Sequence, residues 1–335
     1  MCSLKGENLS ERRLNTAVIG AGYMGTNHAR IYVDLDSTRL VAVADPNKAK
    51  LAKLGAKYNI NTYIDYMEML KKEDIDLVSI AAPTSLHYAI GKAVIDKGID
   101  VLIEKPITKN VADAKKLIAF AKKKKVKLFI GHVERFNAAI VELQKQLAAN
   151  KLGKIYSIIA NRQGPFSDRI DDVGVAIDLA VHDLDIINSI LHSNATKVLS
   201  FTKSGICTKH EDLVRAILLY SNGVVVNLNV DWITPTKIRE LIVTGEKGAF
   251  KVEYLSQNLE FYENKSKSID IKSYSDMVKG VTAGNMVRYN IEKTEPLKKE
   301  ILSVVDCIHN NKRPLVSGED ALKAIKLAHM LKNSM

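Results

Sequence analysis

Short apolar runs alternating with helical segments constrain this chain more than any other feature. "NTAVIG" (15–20), "LVAVAD" (40–45), "LVSIAA" (77–82), "VLIEKP" (101–106) and "KLFIGH" (127–132) are apolar and rich in β-branched residues. Between and around them, residues 24–35, 48–58, 66–72, 86–97 and 111–125 carry helical period. A strand that is apolar along its whole length is buried on both faces. A helix between successive strands makes those strands parallel. The first 132 residues therefore predict a doubly wound α/β sheet of Rossmann type.

The pattern changes after residue 132. "ERFNAAIVELQKQLAAN" (134–150) reads as a helix and "KIYSIIANRQ" (154–163) as a strand. From 197 to 263 strand-like runs follow one another without helices: "KVLSFTKSG", "EDLVRAILLY", "GVVVNLNVDW", "IRELIVTG", "GAFKVEYL" and "NLEFYE". Turn signals at "NGV" (222–224) and "GEKGAF" (245–250) separate some of them, which implies a mostly antiparallel sheet. Residues 264–295 are polar and aperiodic and read as a loop. Helices at 297–310 and 318–332 close the chain. A length of 335 residues suits two domains. The expectation is a dinucleotide-binding Rossmann domain over 14–132, then an α+β substrate-binding and oligomerisation domain over 133–335 with an open sheet. The closing helices are free to pack back on the first domain.

Composition excludes several classes. No apolar run reaches about 18 residues, so no membrane-spanning helix is expected. The opening "MCSLKGENLSERRLN" has no apolar core and reads as a short leader before the first strand rather than a secretory signal. Cys2, Cys207 and Cys307 are too far apart for a metal-ligand spacing or a disulfide framework, which fits a reducing cytoplasm. The formal net charge is +11. Its densest run, "AKKKKVK" (121–127), sits where a helix should end, a favourable place for cations. The remaining basic residues are spread evenly without aromatic interleaving, so no nucleic-acid surface is expected. A general positive potential would favour a phosphorylated small substrate.

The sharpest local signal is "GAGYMG". Gly20, Gly22 and Gly25 give G-x-G-x-x-G after an apolar strand, with Tyr23 and Met24 opening a helix. Asp45 lies 20 residues past Gly25, at the tip of the second strand. That context is the dinucleotide fingerprint: the first glycine allows a tight turn, the second lets backbone approach a pyrophosphate, and the third lets helix pack on strand. The helix N-terminus then faces the anion. Asp45 can accept from ribose hydroxyls and repels a 2′-phosphate, which favours NAD over NADP; the alternative for "DP" is a simple turn. In a doubly wound sheet, ligands lie outside the carboxyl ends of the strands. That places Thr84 and His87 of "AAPTSLHY" near the nicotinamide half, although Thr84 could equally cap the next helix. It also brings Glu104 and Lys105 of "IEKPIT" to the same crevice, where an ammonium can stabilise alkoxide character on a substrate oxygen.

The stretch "AIDLAVHDLDII" (176–187) puts four ionisable groups into an apolar run. At about 100° per residue, Ile177, Ala180, Val181, Leu184, Ile187 and Leu191 share one stripe, while Asp178, His182 and Asp185 share a neighbouring one. Asp178 and His182 are then stacked one turn apart. Taken alone, this reads as a helix start with solvated acids. A metal site would need a third ligand, and none has a clear spacing.

The fingerprint, then "EKP", then Asp-x-x-x-His in a following α+β domain resembles the Gfo/Idh/MocA oxidoreductases across about residues 14–332. The resemblance implies a catalytic cluster of Lys105, Asp178 and His182, with His182 as general base. It also implies NAD as cofactor and a homodimer or homotetramer built through the sheet. "GHVERFNAA" (131–139) and "DWITPTKIR" (231–239) are similar to the branch of that family that oxidises UDP-N-acetylglucosamine or its uronic acid at the 3-position. The chain departs from that pattern at Ala138, where proline is expected. Arg135, Asn137, Arg162 and Gln163 are the expected substrate contacts, with an interdomain ion pair as the alternative for Arg135. Rival readings are another sugar or inositol dehydrogenase on the same fold and a non-catalytic NAD-sensing regulator.

Overall fold

The computed structural model describes residues 12–166, 173–264 and 283–333. The expected leader, up to residue 11, lies outside the described residues together with Cys2. The chain divides into two compact units. Residues as far as Val133, with Glu295–Lys326, form the first; Glu134–Thr294, with the chain from Leu327, forms the second.

The first unit alternates as its sequence predicts. Its elements are β1 (Leu14–Ile19), α1 (Tyr23–Asp34), β2 (Thr38–Ala44), α2 (Lys48–Tyr58), β3 (Asn61–Tyr63), α3 (Tyr66–Lys72), β4 (Leu77–Ile80), α4 (His87–Asp96), β5 (Asp100–Glu104), α5 (Val111–Lys124) and β6 (Leu128–Gly131). The sheet order is β3-β2-β1-β4-β5-β6, and every pairing is parallel. Strand β3 has no counterpart in the sequence reading, because three residues with two exposed carry no periodic signal. One core joins Val18, Val43, Leu77, Leu102 and Phe129 of the sheet to Ala29, Ile31 and Tyr32 of α1. A late helix, α8 (Pro296–His309), adds Leu297, Ile301, Val304 and Val305 to it. The order of strands reverses at β1 and β4, so their carboxyl ends open a crevice.

The second unit follows with α6 (Ala138–Ala148), β7 (Ile155–Pro165), α7 (Val181–Leu191), β8 (Ala195–Ser204), β9 (Glu211–Tyr220), β10 (Val225–Asp231), β11 (Ile233–Gly245), β12 (Gly248–Glu253), β13 (Asn258–Asn264) and β14 (Ala283–Arg288). The sheet runs β14-β13-β12-β11-β7-β10-β9-β8; β7 and β10 are parallel and the other pairs antiparallel. Alternation sets its faces. Ile158, Ala160, Val214, Leu218, Val226, Leu228, Leu241 and Val243 are buried, whereas Leu199, Phe201, Ile217 and Val225 stand on the exposed side. The loop expected over 264–295 is corrected by β14, which pairs with β13; residues 265–282 lie outside the described residues. The final helix, α9 (Gly318–Asn333), begins in the first unit, and its residues from Leu327 belong to the second.

Candidate active site

In the first unit the strands end in register. Ile19 pairs with Ile80, Ile80 with Ile103, and Ile103 with Ile130. The next residues, Gly20, Ala81, Glu104 and Gly131, therefore form a row along one sheet edge. Neighbouring strands lie about 4.8 Å apart, which puts the glycine turn and the Glu104–Lys105 step two strands, or about 10 Å, from each other.

The glycine turn is shaped for close approach. Gly20 sits at φ +102°, and a Cβ there would lie 2.5 Å from Ala81 O. A Cβ on Gly25 would lie 1.7 Å from Gly20 O, so helix α1 packs against β1 only with glycine at that position. Gly22 differs: a Cβ there would meet no heavy atom within 4 Å. Gly22 is also the N-cap of α1 and gives its helix no side-chain cap. Open space over the first amides of a helix fits a pyrophosphate. Asp45 clasps this turn from β2: Oδ2 accepts from Ala21 N at 2.6 Å and Oδ1 from Asn47 N at 2.8 Å. The turn expected for "DP" and the contact to the glycine loop thus coexist. A carboxylate has about four acceptor sites, so two remain for ribose hydroxyls.

His87 is 1 % exposed, and its ring nitrogens face protein carbonyls, Nδ1 at 2.8 Å from Pro106 O and Nε2 at 2.9 Å from Ala82 O. Its imidazole straps the end of β4 to the end of β5. Thr84 begins a short 3₁₀ turn beside it. The Lys105–Pro106 peptide is cis. Glu104 is buried; its Oε1 lies 2.9 Å from His28 Nε2, and its Oε2 accepts from Lys105 N at 3.2 Å. Burial pushes the Glu104 carboxyl up. The His28 hydrogen bond and the positive fields of His28, Lys105 and His87 outweigh it and hold the group below its ordinary value.

In the second unit, Ala176–Ala180 is wound as a π-helix that runs into α7. This corrects the regular α-helical stacking expected for Asp178 over His182, because a π turn is wider than an α turn. Such single π turns occur often at functional sites. Asp178 and His182 are half-buried, while the stripe of Ala180, Val181, Leu184, Ile187 and Leu191 is buried as predicted.

The remaining acids of that stretch are not solvated. Asp183 and Asp185 are buried and take one arginine each: Arg162 Nε lies 2.6 Å from Asp183 Oδ2, and Arg135 Nε lies 2.5 Å from Asp185 Oδ2. Arg162 also donates to Glu134 at 3.0 Å and lies under the ring of Tyr254. Burial alone would lower its pKa, but Asp183 and Glu134 raise it, so the guanidinium stays charged. Arg135, expected at the substrate or in an interdomain pair, is paired within its own unit. Asn137 caps α6, accepting from Ala139 N and donating to Tyr254 O at 3.1 Å each. Gln163 donates to Asp231 at 2.7 Å. Arg239 donates to Gln163 O. Burial and the Arg162 charge push the Arg239 pKa down, against the fields of Asp183, Glu134 and Asp178. Two of these pairs hold Asp183 and Asp185 at the start of α7, the helix that follows the π turn. The sequence reading of solvated acids is corrected here, since a buried carboxylate must find a cation. Trp232 is buried, edge-on to Phe166. Among the described residues no group of three or more His, Cys, Asp or Glu is placed to hold a metal. No described helix is long and apolar enough to cross a membrane.

Residues 14–132 match the model of an oxidoreductase family described by its NAD-binding Rossmann fold, and residues 144–335 match that family's C-terminal alpha/beta domain. The chain is 29% identical to a UDP-N-acetylglucosamine 3-dehydrogenase of Acidithiobacillus ferrooxidans over 249 residues, 74% of this chain and 77% of that one. It is 25% identical to a myo-inositol 2-dehydrogenase of Thermotoga maritima over 96% of each. The solved structure of the Acidithiobacillus ferrooxidans enzyme GnnA superposes with a TM-score of 0.84 at 25% identity, covering 96% of both chains.

Proposed function

We propose, for a chain that belongs to the Gfo/Idh/MocA oxidoreductases and carries their NAD-binding Rossmann domain, that it oxidises the 3-hydroxyl of UDP-N-acetylglucosamine to the ketone. The observation that carries the dehydrogenase reading is the shared sheet edge. One row of strand ends holds both the cofactor turn at Gly20 and the Glu104–Lys105 step. The choice of sugar nucleotide rests on the similarity to the Acidithiobacillus ferrooxidans relative and on the net positive charge, which suits a diphosphate.

Bound NAD supplies the acceptor for the hydride that leaves the sugar carbon. The chain's own residues manage the proton and the oxygen. His182 takes the hydroxyl proton, as an imidazole can at neutral pH. Lys105 donates a hydrogen bond to the reacting oxygen and stabilises its developing charge. Asp178 orients His182 or anchors a neighbouring hydroxyl. Thr84, His87, Tyr23 and Met24 border the cofactor, and Asp45 accepts from its ribose. Arg135 and Arg162 hold Asp185 and Asp183 of α7, the helix that follows the π turn, and Asn137 caps α6 and donates to Tyr254 O; Gln163 is a further expected substrate contact. Leu199 and Ile217 pair across β8 and β9 on the exposed side of the sheet, with Phe201 nearby. An apolar face of this kind supports a homodimer or homotetramer formed through it, in a cytoplasmic enzyme.

The test is NADH absorbance with UDP-N-acetylglucosamine, its uronic acid, myo-inositol and glucose, each with NAD and NADP. Turnover only with an inositol or a free sugar would reassign the substrate. Tight NAD binding without turnover on any of them would favour a sensing regulator.

A further inference from the structure

A chain of polar groups runs through the core of the first unit and ends on Glu104. Tyr32 OH lies 2.6 Å from Ser79 Oγ, Ser79 Oγ lies 3.0 Å from His28 Nδ1, and His28 Nε2 lies 2.9 Å from Glu104 Oε1. Tyr32, Ser79 and His28 are each 0 % exposed and Glu104 is 7 % exposed. The surrounding strand residues Ile19, Val78, Ile80, Leu102 and Ile103 are apolar and buried. Burying four polar side chains there is unfavourable unless each is satisfied, and apolar residues would pack such a core more simply. The chain therefore needs a reason other than packing.

We propose that His28 is a positioning residue of this site: backed by Ser79 and Tyr32, it fixes the Glu104 carboxylate, and so the backbone turn from which Lys105 projects. The proposal rests on the role given to Lys105 above. The carboxylate end fixes the donor at the last link. An ionised carboxylate only accepts, so His28 donates through Nε2. His28 Nδ1 shares a hydrogen bond with Ser79 Oγ, which shares a second with the Tyr32 hydroxyl. Burial keeps that phenol protonated by raising its pKa, with the Glu300 field adding to it and Ser79 opposing it. With Oε1 held by His28, Oε2 is left over the Lys105 N–H at 3.2 Å. Gly131 makes room for it: a Cβ there would lie 3.1 Å from Oε2. His28 and Tyr32 sit on α1, the helix that starts at the glycine turn, one turn apart on its buried stripe. Ser79 lies on β4 and Glu104 on β5. One hydrogen-bonded line thus ties the cofactor turn's helix to the strand end that carries Lys105, and a fully satisfied buried network of this kind rigidifies what it joins.

The experiment compares the full chain with His28→Leu and His28→Gln; the glutamine Nε2 can still donate toward Glu104. The first readout needs no substrate: reductive methylation of Lys105, followed by mass spectrometry with exposed Lys123 as internal reference. The expected result is a change of at least about threefold in the Lys105 rate in His28→Leu and recovery toward the parent in His28→Gln, with NADH affinity by fluorescence held within about threefold in both. The second readout is the pH profile of turnover. His28 lowers the Glu104 pKa, so its loss moves the acid limb to higher pH, and glutamine restores part of the shift. The groups facing this carboxylate are His28, Lys105 and His87. An unchanged Lys105 rate in a folded His28→Leu overturns the proposal. If leucine unfolds the protein, an unchanged rate in Ser79→Ala and an altered one in His28→Gln do the same. A Lys105 rate that responds in a protein inactive on every sugar tested would instead overturn the dehydrogenase reading and leave the positioning role standing.

Discussion

Substitution of Gly22 by alanine separates a cofactor cradle from a structural glycine turn. Gly22 has φ −77° and ψ −165°, an extended conformation open to any residue. A Cβ there would find no heavy atom within 4 Å. Alanine is a poorer N-cap than glycine by roughly 0.5 kcal/mol, and its smaller unfolded-state entropy returns a similar amount. The melting temperature should therefore stay within a few degrees. The methyl would stand where a pyrophosphate must pass, holding it back from the first amides of α1. Losing two charge-assisted hydrogen bonds at roughly 1.5 kcal/mol each weakens binding by about 3 kcal/mol, about 100-fold in Kd. NADH fluorescence titration reads the affinity and circular dichroism reads the melt. Gly25→Ala is the contrast. Its Cβ would clash with Gly20 O at 1.7 Å, so it should lose stability and binding together. An NADH affinity in Gly22→Ala within about threefold of the parent would refute the cradle.

Other consequences are as direct. Asp45→Asn removes the charge that repels a 2′-phosphate while keeping an acceptor toward Ala21 N, and should raise the NADPH-to-NADH affinity ratio by about tenfold or more. Ala138→Pro places proline at the first residue of α6, after Asn137 at φ −63° and ψ 126°, a conformation proline accepts in its predecessor. It should stabilise by about 0.4–1 kcal/mol, read from the urea midpoint. Arg162→Met strands the Asp183 carboxylate, which is 0 % exposed, and should destabilise by roughly 3–5 kcal/mol in the same assay. The folded-state pKa of Glu104 lies below its ordinary value, so its ionisation contributes stability that is complete above the ordinary carboxylate range and lost as pH falls through the lowered value. His28→Leu should flatten that acid dependence in urea titrations, and an unchanged slope would contradict the assignment.

Much of the fold was legible because it is written in local periodicity. Apolar strands alternating with helices specify a parallel sheet, and the helices predicted at 48–58 and 66–72 match α2 and α3 residue for residue. The glycine spacing, with Asp45 after it, specifies the cofactor turn: Gly25 answers a steric demand from Gly20 O within that turn, Gly20 answers one from Ala81 just past β4, and Gly22 leaves open space. Strand β14 escaped because "AGNMVR" is short and mixed, and it is held by its pairing with β13 rather than by its own propensity.

What tertiary structure alone decided is the choice of partners. Sequence alone reads Asp183 and Asp185 as solvated acids at a helix start, and the fold buries both. Sequence cannot say that Arg162 and Arg135, 21 and 50 residues away, are the cations that answer them. The same holds for His28, whose partner Glu104 is 76 residues along the chain, and for α8, which joins the core of the first unit from beyond the whole second sheet. The physical reason is that backbone preference and hydrophobic period act over a few residues and are printed in order. The penalty for a buried charge is relieved by whichever group the completed fold brings within hydrogen-bonding distance.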